Sequence, residues 1–119
     1  MKGKTMTTIT ATLSQKSCTP CQKGATRLQG EELQAYVKHL PDGWTVVDGH
    51  HLKKEFKFPD FVQALDFVNT IGSLAEAENH HPDILLTYGK ATITLWTHKI
   101  NGLHENDFIL AEKIEHLTA

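Results

Sequence analysis

The sequence predicts an α+β fold in which a four-stranded antiparallel sheet has helices packed on one face. Two segments, 44–58 and 84–98, each hold two runs of β-branched and aromatic residues around a short turn signal, which is typical of β-hairpins. Apolar residues at helical spacing lie before, between and after the hairpins, so the element order is α-β-β-α-β-β-α. This order favours an antiparallel sheet that is covered on one side.

The N-terminal part of the chain differs in charge from the rest. Residues 1–30 hold five basic residues and no acidic one, whereas the remainder holds seven basic and fourteen acidic residues. We expect a flexible basic extension over 1–30 and a single folded domain over 31–119. A net acidic domain argues against binding nucleic acid through its surface.

The first helix is predicted over 30–40, where apolar residues have helical spacing and acidic residues occupy the first turn. The Pro-Asp-Gly sequence at 41–43 is a stop signal for that helix. A hairpin follows, with strands at 44–47 and 52–58 joined through an Asp-Gly turn. His50 and His51 fall at this turn, where we expect exposed polar residues.

A long helix comes next and is predicted to open at Pro59 and Asp60, because proline suits the first helical position. Its main apolar stripe consists of Phe61, Leu65, Val68, Ile71 and Ala75. Phe67 and Leu74 widen that stripe beyond what one sheet face needs. Two interpretations stay open: a deeply buried core helix, or a helix that also contacts a second copy in a homodimer or homotetramer.

The second hairpin is predicted around a two-residue loop of Gly89 and Lys90. In that register Leu86 faces Ile93, and the other pairs on this side of the hairpin are also apolar. The opposite face carries threonines and Trp96. A large aromatic residue there either packs in a core or interface or offers a platform for a flat ligand.

The predicted register also brings histidines together. Continued past the strands, it places His81 opposite His98 with their Cβ atoms roughly 5 Å apart, and His80 is the next residue. Three imidazoles allow metal binding, general acid/base catalysis, or nothing beyond solvated polar residues. Adjacent residues of an extended segment point to opposite faces, so His80 and His81 are awkward ligands for one metal ion. Acid/base catalysis tolerates that geometry better, because a flat substrate is approached from two directions.

The last helix is predicted over 105–117, with its apolar residues turned inward. His104 falls at the N-cap position, and Asp107, three residues on, is placed to act as the acidic half of a capping box. We therefore interpret Asp107 as a structural residue rather than a catalytic one.

These residues together resemble a known family, the pterin-4a-carbinolamine dehydratases. The resemblance covers about 33–117 and rests on spaced positions that match the family signature: Glu76, His80, His81, Pro82, Tyr88, His98 and Asp107. It implies a hydro-lyase, free of cofactor and metal, that removes water from 4a-hydroxytetrahydropterin to give quinonoid dihydropterin. It also implies dimers or tetramers, and vertebrate members double as dimerisation cofactors of a homeodomain transcription factor.

The resemblance assigns roles to individual residues. His80 and His98 are implied as the general acid and the general base, in an order that the sequence does not decide. His81 is expected to hold and orient the pterin, and Thr97, beside His98, to take part in substrate binding. Glu76 lies about one helical turn before His80, so it either orients that imidazole or caps the helix end.

The remaining features narrow the class of protein. No stretch approaches the roughly 20 apolar residues of a membrane span, and we expect a cytoplasmic protein without a membrane or nucleic-acid partner. Cys18 and Cys21 are the only cysteines. They are interpreted as an inert reduced pair, as ligands of a shared or adventitious metal, or as a redox pair, since a complete zinc site needs two further ligands.

A second class of function uses the same fold. A protein-interaction module would carry vestigial histidines and would bind a partner through the long helix. The presence of all three histidines favours the enzyme, because a scaffold has no reason to keep them at paired positions.

Overall fold

The computed structural model describes residues 26–118, and the predicted α+β fold is confirmed. Cys18 and Cys21 lie outside the described residues. The elements within residues 26–118 are helices α1 to α3, strands β1 to β4 and a short 3-10 turn: α1 Gly30–Val37, β1 Thr45–Val47, β2 His51–Lys57, α2 Phe61–Glu78, β3 Asp83–Thr87, β4 Lys90–Leu95, the 3-10 turn His98–Ile100 and α3 Glu105–His116.

The four strands form one antiparallel sheet in the order β1-β2-β4-β3, so β2 and β4 are central. Leu52, Ile93 and Leu95 point to the face that the helices cover and are fully buried. The opposite face of β4 carries Thr92 and Thr94, which are half-buried. The predicted division of this hairpin into an apolar face and a polar face is therefore confirmed.

The register of the second hairpin differs from the prediction by two residues. Asp83 pairs with Thr94, and the loop consists of Tyr88 and Gly89 instead of Gly89 and Lys90. Gly89 has φ 67°, and a Cβ built on it would lie 2.9 Å from the carbonyl oxygen of Phe58, so the loop needs glycine at this position. A shift of two residues keeps every side chain on its predicted face.

The long helix begins at Phe61, two residues after the predicted start at Pro59. Asp60 is the N-cap, and its Oδ1 accepts a hydrogen bond from the backbone N–H of Gln63 at 2.9 Å, while Pro59 precedes the cap instead of occupying the first turn. The N-terminal part of the predicted stripe is exposed, with Phe61 at 42% and Leu65 at 36%. The buried residues are Ala64, Phe67, Ile71 and Ala75.

Of the two interpretations of Phe67 and Leu74, the contacts within the subunit favour the buried core helix. Phe67 contacts Phe56 in β2 and Phe58 just after that strand. Its ring centroid lies 4.8 Å from that of Phe56 and 5.1 Å from that of Phe58. Leu74 packs against the same core. Phe67 is therefore buried within the subunit, and Leu74 is partly buried there.

Helix α3 is more deeply buried than the spacing of its apolar residues indicated. Its residues 106–111 are all buried, including the polar Asn106 and Asp107. The capping box predicted for its start is present: His104 Nδ1 accepts from the N–H of Asn106 at 3.1 Å, and Asp107 Oδ2 accepts from the N–H of His104 at 3.0 Å. The Asp107 side chain is therefore fixed at the N-terminus of α3.

Residues before the predicted domain boundary also contact the domain. Leu28 is buried in the core, and its N–H donates to the carbonyl oxygen of Leu103 at 2.8 Å. Arg27 Nη1 donates to the carbonyl oxygen of Asn101 at 3.3 Å. The boundary at residue 30 stays a prediction, and these contacts favour a boundary a few residues earlier.

Of the helices within 26–118, none combines the length and apolar character that a membrane crossing requires.

Tyr36 makes the stability of the fold depend on pH in a way that can be tested. Burial raises its pKa to about 12, and the Glu105 carboxylate, which accepts from the Tyr36 hydroxyl at 3.3 Å, adds to this shift. The pKa of an unfolded tyrosine is about 10, so the stabilisation that Tyr36 provides is present below about pH 10 and is lost as the pH rises through the folded pKa. We expect a tyrosinate absorbance step near pH 12 that Tyr36→Phe abolishes. Tyr88→Phe is the matched control, and a step that survives Tyr36→Phe would contradict the assignment.

Candidate active site

The candidate site lies where α2 ends, β4 ends and α3 begins. Helix α2 closes with Asn79 in the left-handed conformation, φ 54° and ψ 40°. The N–H of His80 donates to the carbonyl oxygen of Ala75 at 3.2 Å, and that of Asn79 donates to Glu76 at 3.3 Å, which is the bond pattern of a Schellman motif. The chain therefore leaves the helix in a fixed direction, and the two histidines follow at once.

Asp107 is the centre of the site. Its side chain is fully buried, and its Oδ1 lies 2.6 Å from Nε2 of His80. Its Oδ2 accepts from the Thr97 hydroxyl at 2.8 Å and from the backbone N–H of His104 at 3.0 Å. Three donors thus satisfy a carboxylate that burial would otherwise make costly.

The sequence identified the capping role of Asp107 but missed its contact with His80. A signal for the contact does exist in the sequence. Asp107 is followed directly by four apolar residues, 108–111, so a helix that is buried from its first turn encloses the carboxylate. A buried carboxylate needs more donors than one backbone N–H, and a histidine is a suitable second partner.

The hydrogen bond to Asp107 determines the tautomer and the orientation of the His80 ring. A carboxylate can only accept, so Nε2 of His80 carries the proton and Nδ1 is the nitrogen left for another partner. The His80 side chain is 13% exposed, so only a small part of the ring is open to a ligand. Its tautomer and its orientation are therefore both set by Asp107.

Glu76 contacts His81 instead of His80, which corrects one of the two roles that the sequence allowed. Its Oε2 lies 2.5 Å from Nε2 of His81, and both side chains are more than half exposed. The left-handed residue Asn79 reverses the chain, so His80 turns toward α3 and His81 turns back along α2. The pair leaves Nδ1 of His81 available at the surface.

His98 does not lie opposite His81, because the register is shifted and β4 ends at Leu95. It begins the 3-10 turn, and its imidazole stacks on the Trp96 indole with ring centroids 3.9 Å apart and an interplanar angle of 29°. Trp96 was expected either to pack or to offer a ligand platform. Its ring contacts two imidazoles, since His50 lies 4.5 Å away, and its Nε1 donates to Asp83 Oδ2 at 3.4 Å.

The structure nevertheless places all five predicted site residues at one end of the β3–β4 hairpin. Asp107 holds His80 directly and holds His98 through the neighbouring Thr97. Glu76 and His81 lie beside them at the exit of α2. Within residues 26–118, no three His, Cys, Asp or Glu side chains converge in an arrangement that could hold a metal ion. Two of the three imidazoles, those of His80 and His81, are hydrogen-bonded to carboxylates, and the third, that of His98, is stacked on Trp96.

Comparison with known proteins identifies the family. The family model for pterin 4 alpha carbinolamine dehydratase matches residues 26–117, nearly all of the part that the structure describes. The chain belongs to the pterin-4-alpha-carbinolamine dehydratase family. This is a family of hydro-lyases, and the match includes every residue of the candidate site.

Individual relatives agree with this assignment. A protein from Rubrobacter xylanophilus, whose name assigns it to the same family, is 53% identical over 105 residues, covering 88% of this chain and 97% of the relative. One from Alkaliphilus metalliredigens, named in the same way, is 50% identical over 103 residues and covers 87% of this chain and 93% of the relative.

Two solved structures are also similar. A transcriptional coactivator/pterin dehydratase from Brucella melitensis superposes with a TM-score of 0.72 at 35% identity, covering 79% of this chain and 100% of that one. A pterin dehydratase-like protein described as a RuBisCO assembly factor in the alpha-carboxysome superposes with a TM-score of 0.57 at 23% identity, covering 68% of this chain and 95% of that one. The second likeness concerns the fold alone.

Proposed function

We propose that this protein dehydrates 4a-hydroxytetrahydropterin to quinonoid dihydropterin, a step of tetrahydropterin recycling in the cytoplasm, by histidine acid/base catalysis. Family membership supports the reaction. The single observation that carries the mechanism is the 2.6 Å contact between His80 Nε2 and the buried Asp107, whose other oxygen binds the residue next to His98.

The reaction itself defines what the site must do. The C4a–O bond breaks, the N5–H bond breaks, and a double bond forms between N5 and C4a, so the products are water and the quinonoid pterin. Hydroxide leaves poorly, and the oxygen therefore needs a proton from an acid while a base removes the proton from N5. Each of these proton transfers contributes about 10²–10⁴-fold in rate.

His80 is the better base of the two. Its Nε2–H donates to Asp107, so its Nδ1 is free to accept the proton from N5. The carboxylate then stabilises the imidazolium that forms, which is the role of the aspartate in a hydrolase triad. The burial of Asp107 strengthens this charge interaction, because less water screens it.

His98 is then the acid that protonates the 4a-oxygen. Within residues 26–118, neither of its ring nitrogens is engaged by a carboxylate that would retain the proton. After one turnover His80 holds a proton and His98 has lost one, so the two groups return to their starting states by exchange with solvent. His98 is exposed, which suits that exchange.

The remaining site residues support binding. We propose that His81, fixed by Glu76, contacts the pterin through its free Nδ1. The Thr97 hydroxyl is committed to Asp107, and Thr97 is 4% exposed. Its contribution to substrate binding is therefore indirect, through the placement of Asp107 and of the adjacent His98.

The decisive experiment is dehydration of a synthetic 4a-hydroxytetrahydropterin by protein that has been treated with a chelator. We expect the protein to accelerate the reaction, with no dependence on added metal, because the proposed steps need only imidazoles. The protein with both His80→Ala and His98→Ala is the matched control for uncatalysed dehydration. Loss of activity on chelation with recovery by zinc would contradict the mechanism, and absence of acceleration would contradict the function.

We also propose assembly into a homodimer or homotetramer, through a surface that differs from the one first predicted. Phe61, Val62 and Leu65 form an exposed apolar patch on the first turns of α2. The same patch is the observation that favours the alternative function, an interaction module that binds a partner protein, and the Brucella melitensis neighbour carries the description of a coactivator. A protein inactive in the dehydration assay would favour that alternative.

A further inference from the structure

His50 was predicted to be a solvated turn residue, but the structure places it against the turn that carries His98. Its ring lies 4.5 Å from the Trp96 ring, at an interplanar angle of 43°. Its Nε2 lies 2.9 Å from Oδ1 of Asn101. Trp96 precedes His98 and Asn101 follows it, so one imidazole contacts the chain on both sides of His98.

Both of these contacts restrain His98. Trp96 stacks directly on the His98 ring at 3.9 Å. Asn101 ends the 3-10 turn in the left-handed conformation, with φ 50°, and its N–H donates to the carbonyl oxygen of His98 at 3.2 Å. Fixing the Asn101 side chain therefore fixes the backbone of His98, and fixing Trp96 fixes the plane of its ring.

His51 in turn fixes His50. With Asn101 Oδ1 as the acceptor, Nε2 of His50 is the donor, so Nδ1 of a neutral His50 is an acceptor. Nδ1 of His51 lies 3.0 Å from that atom and supplies the hydrogen. Both edges of the His50 ring are thus hydrogen-bonded, and the β1–β2 turn holds it in one tautomer and one orientation.

We infer that His50 is a positioning residue for His98: it holds the acid of the proposed reaction through Trp96 and Asn101 without touching the substrate. This inference rests on the proposed function only for the consequence in catalysis. The placement of His98 is a property of the folded chain and can be measured without any substrate.

Kinetics test the catalytic consequence. His50→Ala is expected to lower kcat about 10-fold and to leave KM within about twofold, because a displaced catalytic group loses rate while the binding contacts stay. His50→Phe keeps the ring contact, and His50→Gln keeps a donor for Asn101, so each should lose less than His50→Ala. His116→Gln, at the exposed end of α3, is the matched histidine control and should change neither constant.

A double variant shows whether His50 acts through His98. In a His98→Ala protein, His50→Ala should cause no further loss of kcat, because the group that it positions is absent. An undiminished 10-fold loss in that background would overturn the inference, since His50 would then act independently. Equal kcat for the wild type and His50→Ala would overturn it as well.

NMR of the histidine ring protons separates this inference from the proposed function. The stack with Trp96 shifts the His98 ring protons by the indole ring current, and Trp96→Leu should abolish that shift. His50→Ala should reduce the shift, whereas His116→Gln should not. An unchanged His98 signal in His50→Ala would overturn the inference even in an active enzyme. A wild-type protein without dehydratase activity would instead overturn the proposed function. The NMR result alone would then decide whether His50 positions His98.

Discussion

His80→Ala and His98→Ala are each expected to lower kcat by about 10²–10⁴-fold, because each removes one of the two proton transfers of the dehydration. KM should change much less, since neither side chain is the principal binding group of the proposal. Steady-state dehydration of the synthetic carbinolamine measures both constants. The fold should survive both changes, because His98 is exposed and His80 is held at the edge of the core.

His81→Ala is the internal comparison for these variants. It removes a proposed binding contact and should chiefly raise KM, as expected when an interaction of equal strength in ground state and transition state is lost. Equal and small effects at all three histidines would mean that the cluster is not catalytic.

The fold could be read from the sequence because side-chain periodicity is a local property. Alternation in the second hairpin identified the face carrying Ile93 and Leu95, which are fully buried. The register was not identified, because it depends on which two residues form the loop. The need for glycine at position 89 comes from the carbonyl oxygen of Phe58, a residue far from it in sequence. Contacts of this kind leave no local pattern.

The same distinction applies to the site. The predicted histidines lie near one end of the hairpin, but the pairing that was expected to join His81 and His98 is absent. The contacts that do organise them link residues distant in the chain: His80 with Asp107, 27 positions on, and His50 with Asn101, 51 positions on. The capping role accounts for an acidic residue at position 107 from local sequence alone. The second role of Asp107, its contact with His80, was therefore missed.

Asp107→Ala is expected to have the largest effect on stability of any single change in the site. The substitution removes the acceptor for three buried or partly buried donors: the His80 ring, the Thr97 hydroxyl and the N–H of His104. A buried donor left without its acceptor costs about 1–3 kcal/mol, and three donors lose theirs here. We expect a loss of that order in the free energy of unfolding, measured by urea denaturation, with an unchanged dependence on urea concentration.

Asp107→Asn separates the charge of Asp107 from its shape. The amide keeps the volume and one acceptor oxygen, so the stability loss should be smaller than for alanine, but it cannot stabilise an imidazolium at His80. We therefore expect kcat to fall about 10²-fold or more while the protein remains folded. Thr97→Val is the matched control: it removes one hydrogen bond to the same carboxylate, costs about 1 kcal/mol, and leaves the charge beside His80 in place. If Asp107→Asn kept the wild-type kcat while Thr97→Val lowered it, the carboxylate would serve only to hold the fold, and the base at His80 would have to act without its support.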